Sequence, residues 1–208
     1  MAEITTLFFD VGGVLLTNGW DRPTRREAAA QFGLDEEDFE ARHESLISAL
    51  ETGKISLDEY LDQTVFCHPC SFSREQFKTF IYAQSQPNSD PLALVRELAG
   101  RFLLATINNE SHDLNLYRIE KFRLREIFTV FFSSCFVRLR KPDPAIYRLA
   151  LDMTQKIPDE CCFIDDRPLN IAGARQVGMR TIQFHDVNQL RRELAEMGVT
   201  IAPAVPAA

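Results

Sequence analysis

No apolar run in the 208-residue chain approaches the roughly eighteen residues that a membrane-spanning helix needs. Positive charge is short as well: 23 lysines and arginines face 30 aspartates and glutamates, a formal net charge of −7. Nucleic acid and anionic membrane surfaces are repelled by that balance, so neither is expected as a partner, and any phosphate-bearing ligand needs cations gathered locally. Met1-Ala2-Glu3-Ile4-Thr5-Thr6 carries none of the basic, apolar and small-residue zones of a secretory leader, and the expected location is cytoplasmic. Cysteine is scarce and odd in number (Cys67, Cys70, Cys135, Cys161, Cys162). In a reducing compartment that set argues against a disulfide framework. Cys67-His68-Pro69-Cys70 lacks both the second ligand pair of a zinc site and the strand that precedes a thioredoxin-like motif. The G-x-G-x-x-G dinucleotide fingerprint is missing too, and His43-Glu44 lacks the second histidine of a metalloprotease helix.

What remains is an ordinary globular composition, 45% apolar and 25% charged, long enough for one core domain plus a smaller appended unit. The chain is organised around Leu7-Phe8-Phe9-Asp10-Val11-Gly12-Gly13. Residues 5–9 form an apolar, β-favouring run that stops on a carboxylate, and two glycines then allow a sharp turn. Taken alone this is either an Asx turn after a strand or a carboxylate at the mouth of a core strand. The second reading requires cations or donors aimed at Asp10, because an uncompensated buried carboxylate costs several kcal/mol or raises its pKa.

Residues 17–23 read as a polar, turn-rich connection, and a helical pattern follows to about residue 85. A helix over 23–32 ends at Gly33, and Asp35 caps the next, with Phe39, His43, Leu46, Ile47 and Leu50 on one face. Capping boxes at Ser56-Leu57-Asp58-Glu59 and Ser73-Arg74-Glu75-Gln76 open two more. The acidic run Asp35-Glu36-Glu37-Asp38 suits the first turn of a helix. Residues 84–91 form a second polar linker, so this helical unit sits between two hinges. Beyond it strands (102–106, 128–132, 161–164, 180–184) alternate with helices (from Asp90-Pro91 to Gly100, 111–121, 143–153, 168–177, 187–197). Such alternation predicts an α/β fold, a doubly wound parallel sheet with an inserted α-helical cap. The expected division is a core of 1–17 and 88–200, a cap of 18–87 and a frayed tail of 201–208.

In such a sheet ligands sit at the carboxyl ends of the strands. The first strand delivers Asp10 there, the second Thr106-Ile107-Asn108-Asn109. The third leads towards Arg138-Leu139-Arg140-Lys141-Pro142, and the fourth delivers Asp165-Asp166. Asp10 after an apolar strand, the polar strand end at Ile107-Asn108, Lys141-Pro142-Asp143-Pro144 and Phe163-Ile164-Asp165-Asp166 resemble, in order and over essentially the whole chain, the four motifs of the haloacid dehalogenase superfamily. The start Phe9-Asp10-Val11-Gly12-Gly13-Val14 and the segment Glu51-Thr52-Gly53-Lys54-Ile55-Ser56 look most like its subgroup of sugar-phosphate phosphatases, such as glucose-1-phosphatase.

The resemblance implies a Rossmann-like core and a magnesium-dependent phosphatase that hydrolyses small phosphate monoesters, sugar phosphates among them, through an aspartyl-phosphate. Asp10 is then the nucleophile and a metal ligand, with Asp166, Asp165 and the carbonyl of Gly12 as further metal ligands. Lys141 neutralises Asp10 and the phosphate, and its following proline restricts its backbone to extended conformations. Ile107, Asn108 and Thr106 are expected at the phosphate. Like charges about 4 Å apart repel by roughly 4 kcal/mol at an effective dielectric of 20, so a divalent cation must sit between carboxylate and phosphate. Trp20, Asp21, Arg22 and Lys54 are expected to touch the leaving group.

The sequence departs from the family pattern twice. Most phosphatases of the superfamily carry an aspartate, acting as acid and base, where Gly12 stands, so the expectation is a slow enzyme, an acid supplied from elsewhere in the chain, or a substrate whose leaving group needs little help. The serine or threonine of the second motif is Ile107 in one register and Thr106 in the other. Two further functions stay open: a 2-haloacid dehalogenase using Asp10, Lys141 and Tyr147, and a non-catalytic phospholigand-binding protein. The expected partner is a small-molecule phosphate ester, and the expected assembly a monomer or homodimer.

Overall fold

The computed structural model describes residues 2–200, so the tail expected at 201–208 lies outside the described residues. Five parallel strands form one sheet: β1 (Thr6–Phe9), β2 (Leu103–Asn108), β3 (Val130–Ser133), β4 (Cys161–Asp165) and β5 (Arg180–Gln183), in the order β3-β2-β1-β4-β5. The order reverses at β1, which places its carboxyl end at the crevice where the connections diverge. Near-continuous apolar sequence suits β1 and β4 because both faces of the sheet are covered. Leu7, Phe9, Leu104 and Ile164 pack on one side with α5 (Ser89–Leu98) and α10 (Val187–Glu196). Phe8, Ala105, Ile107 and Phe163 pack on the other with α8 (Pro144–Thr154) and α9 (Pro168–Gln176).

Between β1 and α5 lie α1 (Arg22–Phe32), α2 (Glu36–Glu51), α3 (Leu57–Thr64) and α4 (Arg74–Ala83). Their starts follow the capping chemistry of the sequence: Asp21 and Asp35 accept from backbone N-H groups, and Ser56/Glu59 and Ser73/Gln76 close reciprocal capping boxes. Gly33 ends α1 in the left-handed conformation at φ 68. These helices bury a cluster of their own, in which Phe32 packs against Phe72, Phe77 and Phe80. Leu114 joins it from α6 (His112–Lys121), the helix after β2.

The two linkers run side by side. Thr17 N-H donates to Gln86 O at 2.9 Å, its hydroxyl donates to Gln84 O at 2.6 Å, and Asn88 holds Leu15 O through its N-H and Val14 O through Nδ2. That engagement moves the start of α5. Its cap position is Asn88, so Asp90-Pro91 falls inside the first turn rather than forming the expected cap and first position. A four-residue helix, α7 (Ser134–Val137), and short 3-10 turns at Leu124–Glu126 and Pro158–Glu160 are too brief to show periodicity in sequence. Among the described residues no helix is long and apolar enough to cross a membrane.

Candidate active site

β1, β2 and β4 run in register, Phe9 beside Thr106 and Ile164, so Asp10 follows level with Ile107 and Asp165. Two carboxylates thus end adjacent core strands. Like charges side by side repel, and the repulsion is relieved by Lys141. Its Nζ lies 2.8 Å from Asp10 Oδ2 and 2.6 Å from Asp165 Oδ2, with the residue only 3% exposed. Lys141 reaches this point because Asn109 brackets its backbone: Asn109 Nδ2 donates to Lys141 O at 2.9 Å, and Lys141 N-H donates to Asn109 Oδ1 at 2.8 Å.

The carboxylates differ in what they have left to offer. Asp10 accepts Val11 N-H at 2.7 Å on Oδ1 and Lys141 on Oδ2. Asp165 accepts Arg167 N-H and Asn170 Nδ2 on one oxygen, Lys141 and Asn170 Nδ2 on the other. Its four acceptor sites are filled. Asp165 is close enough to Asp10 and Asp166 for all three to offer oxygens within 4.8 Å of one another, while its own also serve Lys141, Arg167 and Asn170. Asp166 Oδ1, by contrast, is buried without a partner.

Burial pushes the Asp10 carboxyl up to about 7, Lys141 opposing and Asp165 adding to the shift. Burial raises Asp166 as well, reinforced by Asp165. Burial alone would depress the Lys141 ammonium, but Asp10 and Asp165 outweigh it and hold it above the ordinary lysine range. The cluster is short of positive charge. Hard oxygen donors and an orphaned buried carboxylate oxygen fit a divalent cation such as magnesium.

Gly13 makes room for this arrangement. It sits at φ 80, and a Cβ there would lie 2.5 Å from Asp166 Oδ2. Gly13→Ala is expected to destabilise the protein by about 1–3 kcal/mol, measured by urea unfolding. An unchanged midpoint would mean that Asp166 does not press on this turn.

The side chains of Thr106, Ile107 and Asn108 are all buried. Ile107 packs into the core beneath Asp10. Thr106 lies in mid-strand, side by side with Phe9, and its buried hydroxyl has no partner. Asn108 donates to Asn115 Oδ1 at 3.0 Å and accepts from Ser133 Oγ at 2.9 Å. Strand alternation turns Thr106 and Asn108 away from the face that Ile107 shares, so none of the three side chains reaches the cavity. Asn109, Glu110 and Ser111 form that wall instead.

The cavity, about 480 Å³, lies between the α1–α4 unit and the carboxyl edge of the sheet. Trp20, Asp21 and Arg22 line it, and Lys54, which is exposed, does not. Trp20 Nε1 donates to Tyr60 OH at 3.1 Å, which lies 2.8 Å from His43 Nδ1. Burial holds His43 down to about 4, so its ring is neutral. Sequence reasoning missed the ion pairs at the rim: Arg118 with Glu110 at 3.0 Å, and Arg140 with Glu51. Neither pair falls at the i, i+3 or i+4 spacing that marks partners within one helix. Tyr147, named for the dehalogenase reading, donates to Asn170 O at 2.8 Å and packs on Phe163, outside the cavity lining.

The family model for haloacid dehalogenase-like hydrolases matches residues 4–178. Flavin mononucleotide hydrolase 1 of Arabidopsis thaliana is 26% identical over 202 residues, 96% of this chain and 80% of that protein. The chain spans less than half the length of two other curated relatives that it matches over nearly its whole length. Among solved structures, a magnesium complex of a HAD family enzyme from Bacteroides thetaiotaomicron superposes with a TM-score of 0.79 at 22% identity, covering 92% of this chain and 100% of that one. L-2-haloacid dehalogenase from Xanthobacter autotrophicus gives 0.62 at 19% identity, covering 96% and 85%. Both likenesses are of fold.

Proposed function

Because the chain belongs to the haloacid dehalogenase-like hydrolases, we propose that it is a magnesium-dependent phosphatase of small phosphate monoesters, sugar phosphates included. The observation that carries this reading is the charge imbalance at the strand ends, where Lys141 pairs with Asp10 and Asp165 and the neighbouring Asp166 keeps a buried oxygen without a partner. Such a cluster needs a cation, and so does an anionic substrate placed beside it.

Asp10 attacks phosphorus, the bond to the leaving oxygen breaks, and the resulting aspartyl-phosphate is cleaved by water. Asp10, Asp166 and the Gly12 carbonyl would hold magnesium, which when bound cancels the repulsion between carboxylate and phosphate. Lys141 neutralises Asp10 and the transferred group. Asp165 and Asn109 act through Lys141, one fixing its ammonium and the other its backbone. Residues 18–87 serve as the cap, closing over residues 1–17 and 88–200 and excluding water. Trp20, Ile47 and Leu57 offer the leaving group apolar surface, and Asp21 and Arg22 offer polar contacts.

The dehalogenase alternative is less well supported. Tyr147 is committed to Asn170, and such an enzyme has no use for the orphaned oxygen of Asp166. The two functions, and a phospholigand-binding protein that turns nothing over, separate in one assay. Phosphate release from p-nitrophenyl phosphate and a panel of sugar phosphates is expected with magnesium and is expected to disappear in chelator. Chloride release from 2-chloropropionate that ignores chelator would make the protein a dehalogenase. Tight binding of a phosphate analogue with no hydrolysis would make it a binding protein.

A further inference from the structure

We infer that Glu110 is the acid and base of this reaction, standing in for the side chain that Gly12 lacks. The inference rests on Asp10 being the nucleophile of a phosphoryl transfer. A Cβ built on Gly12 would press on Asn18 Oδ1 at 3.1 Å and touch Arg118 NH1 at 3.5 Å. That same NH1 lies 3.0 Å from Glu110 Oε2. The carboxylate therefore approaches, from the end of β2, the space that a side chain on the β1 turn would fill. Glycine at 19 lets Arg118 lie this close, since a Cβ on Gly19 would overlap its guanidinium.

Glu110 is 9% exposed and lines the cavity that Asp10 and Lys141 also line. It is held from both ends, its Oε1 accepting Ser111 N-H at 2.9 Å and its own N-H donating to Ser134 Oγ at 3.0 Å. It directly follows Asn109, which fixes Lys141, so the loop that positions one group positions the other. The other acids of the rim are engaged elsewhere, Glu51 at the end of α2 with Arg140 and Asp21 as the cap of α1.

Groups from three elements face Glu110: Arg118 of α6, Glu51 of α2 and Cys135 of α7. Burial raises the Glu110 carboxyl and Arg118 opposes the shift without cancelling it, which suits a group that must both give and take a proton. In the first step Asp10 bonds to phosphorus, the phosphorus-oxygen bond to the alcohol breaks, and protonated Glu110 gives its proton to that oxygen. In the second, the Glu110 carboxylate takes a proton from water as its oxygen bonds to phosphorus and the bond to Asp10 breaks. Phosphate, the alcohol and the starting enzyme result.

The test is single-turnover cleavage, enzyme in excess, of two esters by Glu110→Gln. Glycerol phosphate has an alkoxide leaving group that needs a proton, whereas the phenolate of p-nitrophenyl phosphate leaves without one. Cleavage of glycerol phosphate is expected to fall about 10²–10⁴-fold, nitrophenol release to fall less than about tenfold, and Gly12→Asp in the Glu110→Gln background to restore the alkyl ester. Equal losses on both esters, or none on the alkyl ester, would overturn the inference. If Glu110→Gln does not fold, Glu110→Asp, which keeps the charge opposite Arg118, decides. A loss on glycerol phosphate at least about tenfold greater than that on p-nitrophenyl phosphate supports Glu110, and equal losses on both esters, or none on the alkyl ester, overturn it. Full activity in Asp10→Asn would instead overturn the nucleophile assignment, a failure separable from all of these.

Discussion

Asp10→Asn is expected to lower phosphate release by on the order of 10⁴-fold or more, the scale on which loss of a nucleophile is felt. The fold should survive. Asparagine matches the shape of aspartate, its oxygen can still accept Val11 N-H or face Lys141, and Asp165 alone still pairs the ammonium. The variant is also expected to be the more stable protein above neutral pH in chelator. Asp10 binds its proton more tightly folded than unfolded, burial having raised it from 3.8 to about 7. The associated stability is present below the unfolded value and lost as pH rises through about 7. Asparagine does not titrate, so its advantage in melting temperature should be seen at pH 8 and vanish towards pH 4. Turnover within tenfold of the parent would remove Asp10 from the chemistry.

Lys141→Met should produce the largest loss of stability. The ammonium is all but sealed from water and touches both Asp10 and Asp165, so its removal leaves two buried carboxylates facing each other. Breaking a buried pair in this way costs about 3–5 kcal/mol, which in a chain of this size lowers the melting temperature by roughly 10 °C. Part of the cost is relieved if Asp10 takes up a proton, as its raised value favours, so the loss should be smaller at pH 5 than at pH 8. Differential scanning calorimetry at the two pH values measures both effects. A melting temperature that stays put would mean that Lys141 is not what holds these strand ends together.

Helix starts were legible in the sequence because capping is local chemistry. Asp35, Ser56 and Ser73 each accept from a backbone N-H three residues on, so the signal and the structure occupy the same few positions. Asp90-Pro91 misled for the complementary reason: α5 begins where Asn88 is held by Val14 and Leu15, far away in the chain. The gathering of Asp10, Lys141, Asp165 and Asp166 was legible because strand ends of a parallel sheet share one edge. Which side chain of Thr106, Ile107, Asn108 and Asn109 faces that edge was not. A one-residue difference in where a strand ends exchanges the two faces, and β2 runs to Asn108. The Glu51–Arg140 pair was hidden because it joins elements brought together only by the packing of α1–α4 against the sheet, and the Glu110–Arg118 pair because it spans the turn from β2 into α6, outside any helical i, i+4 spacing.

The pairing of Thr17 with Gln84 and Gln86 means that the helical insertion leaves the sheet and returns to it at a single point. Such a graft is detachable in principle: a tight turn spanning that point would reconnect the chain without stretching β1 or α5. Selectivity and chemistry can therefore diverge independently over evolutionary time, the first by exchange of the insertion, the second by changes at the strand tips that never cross the junction.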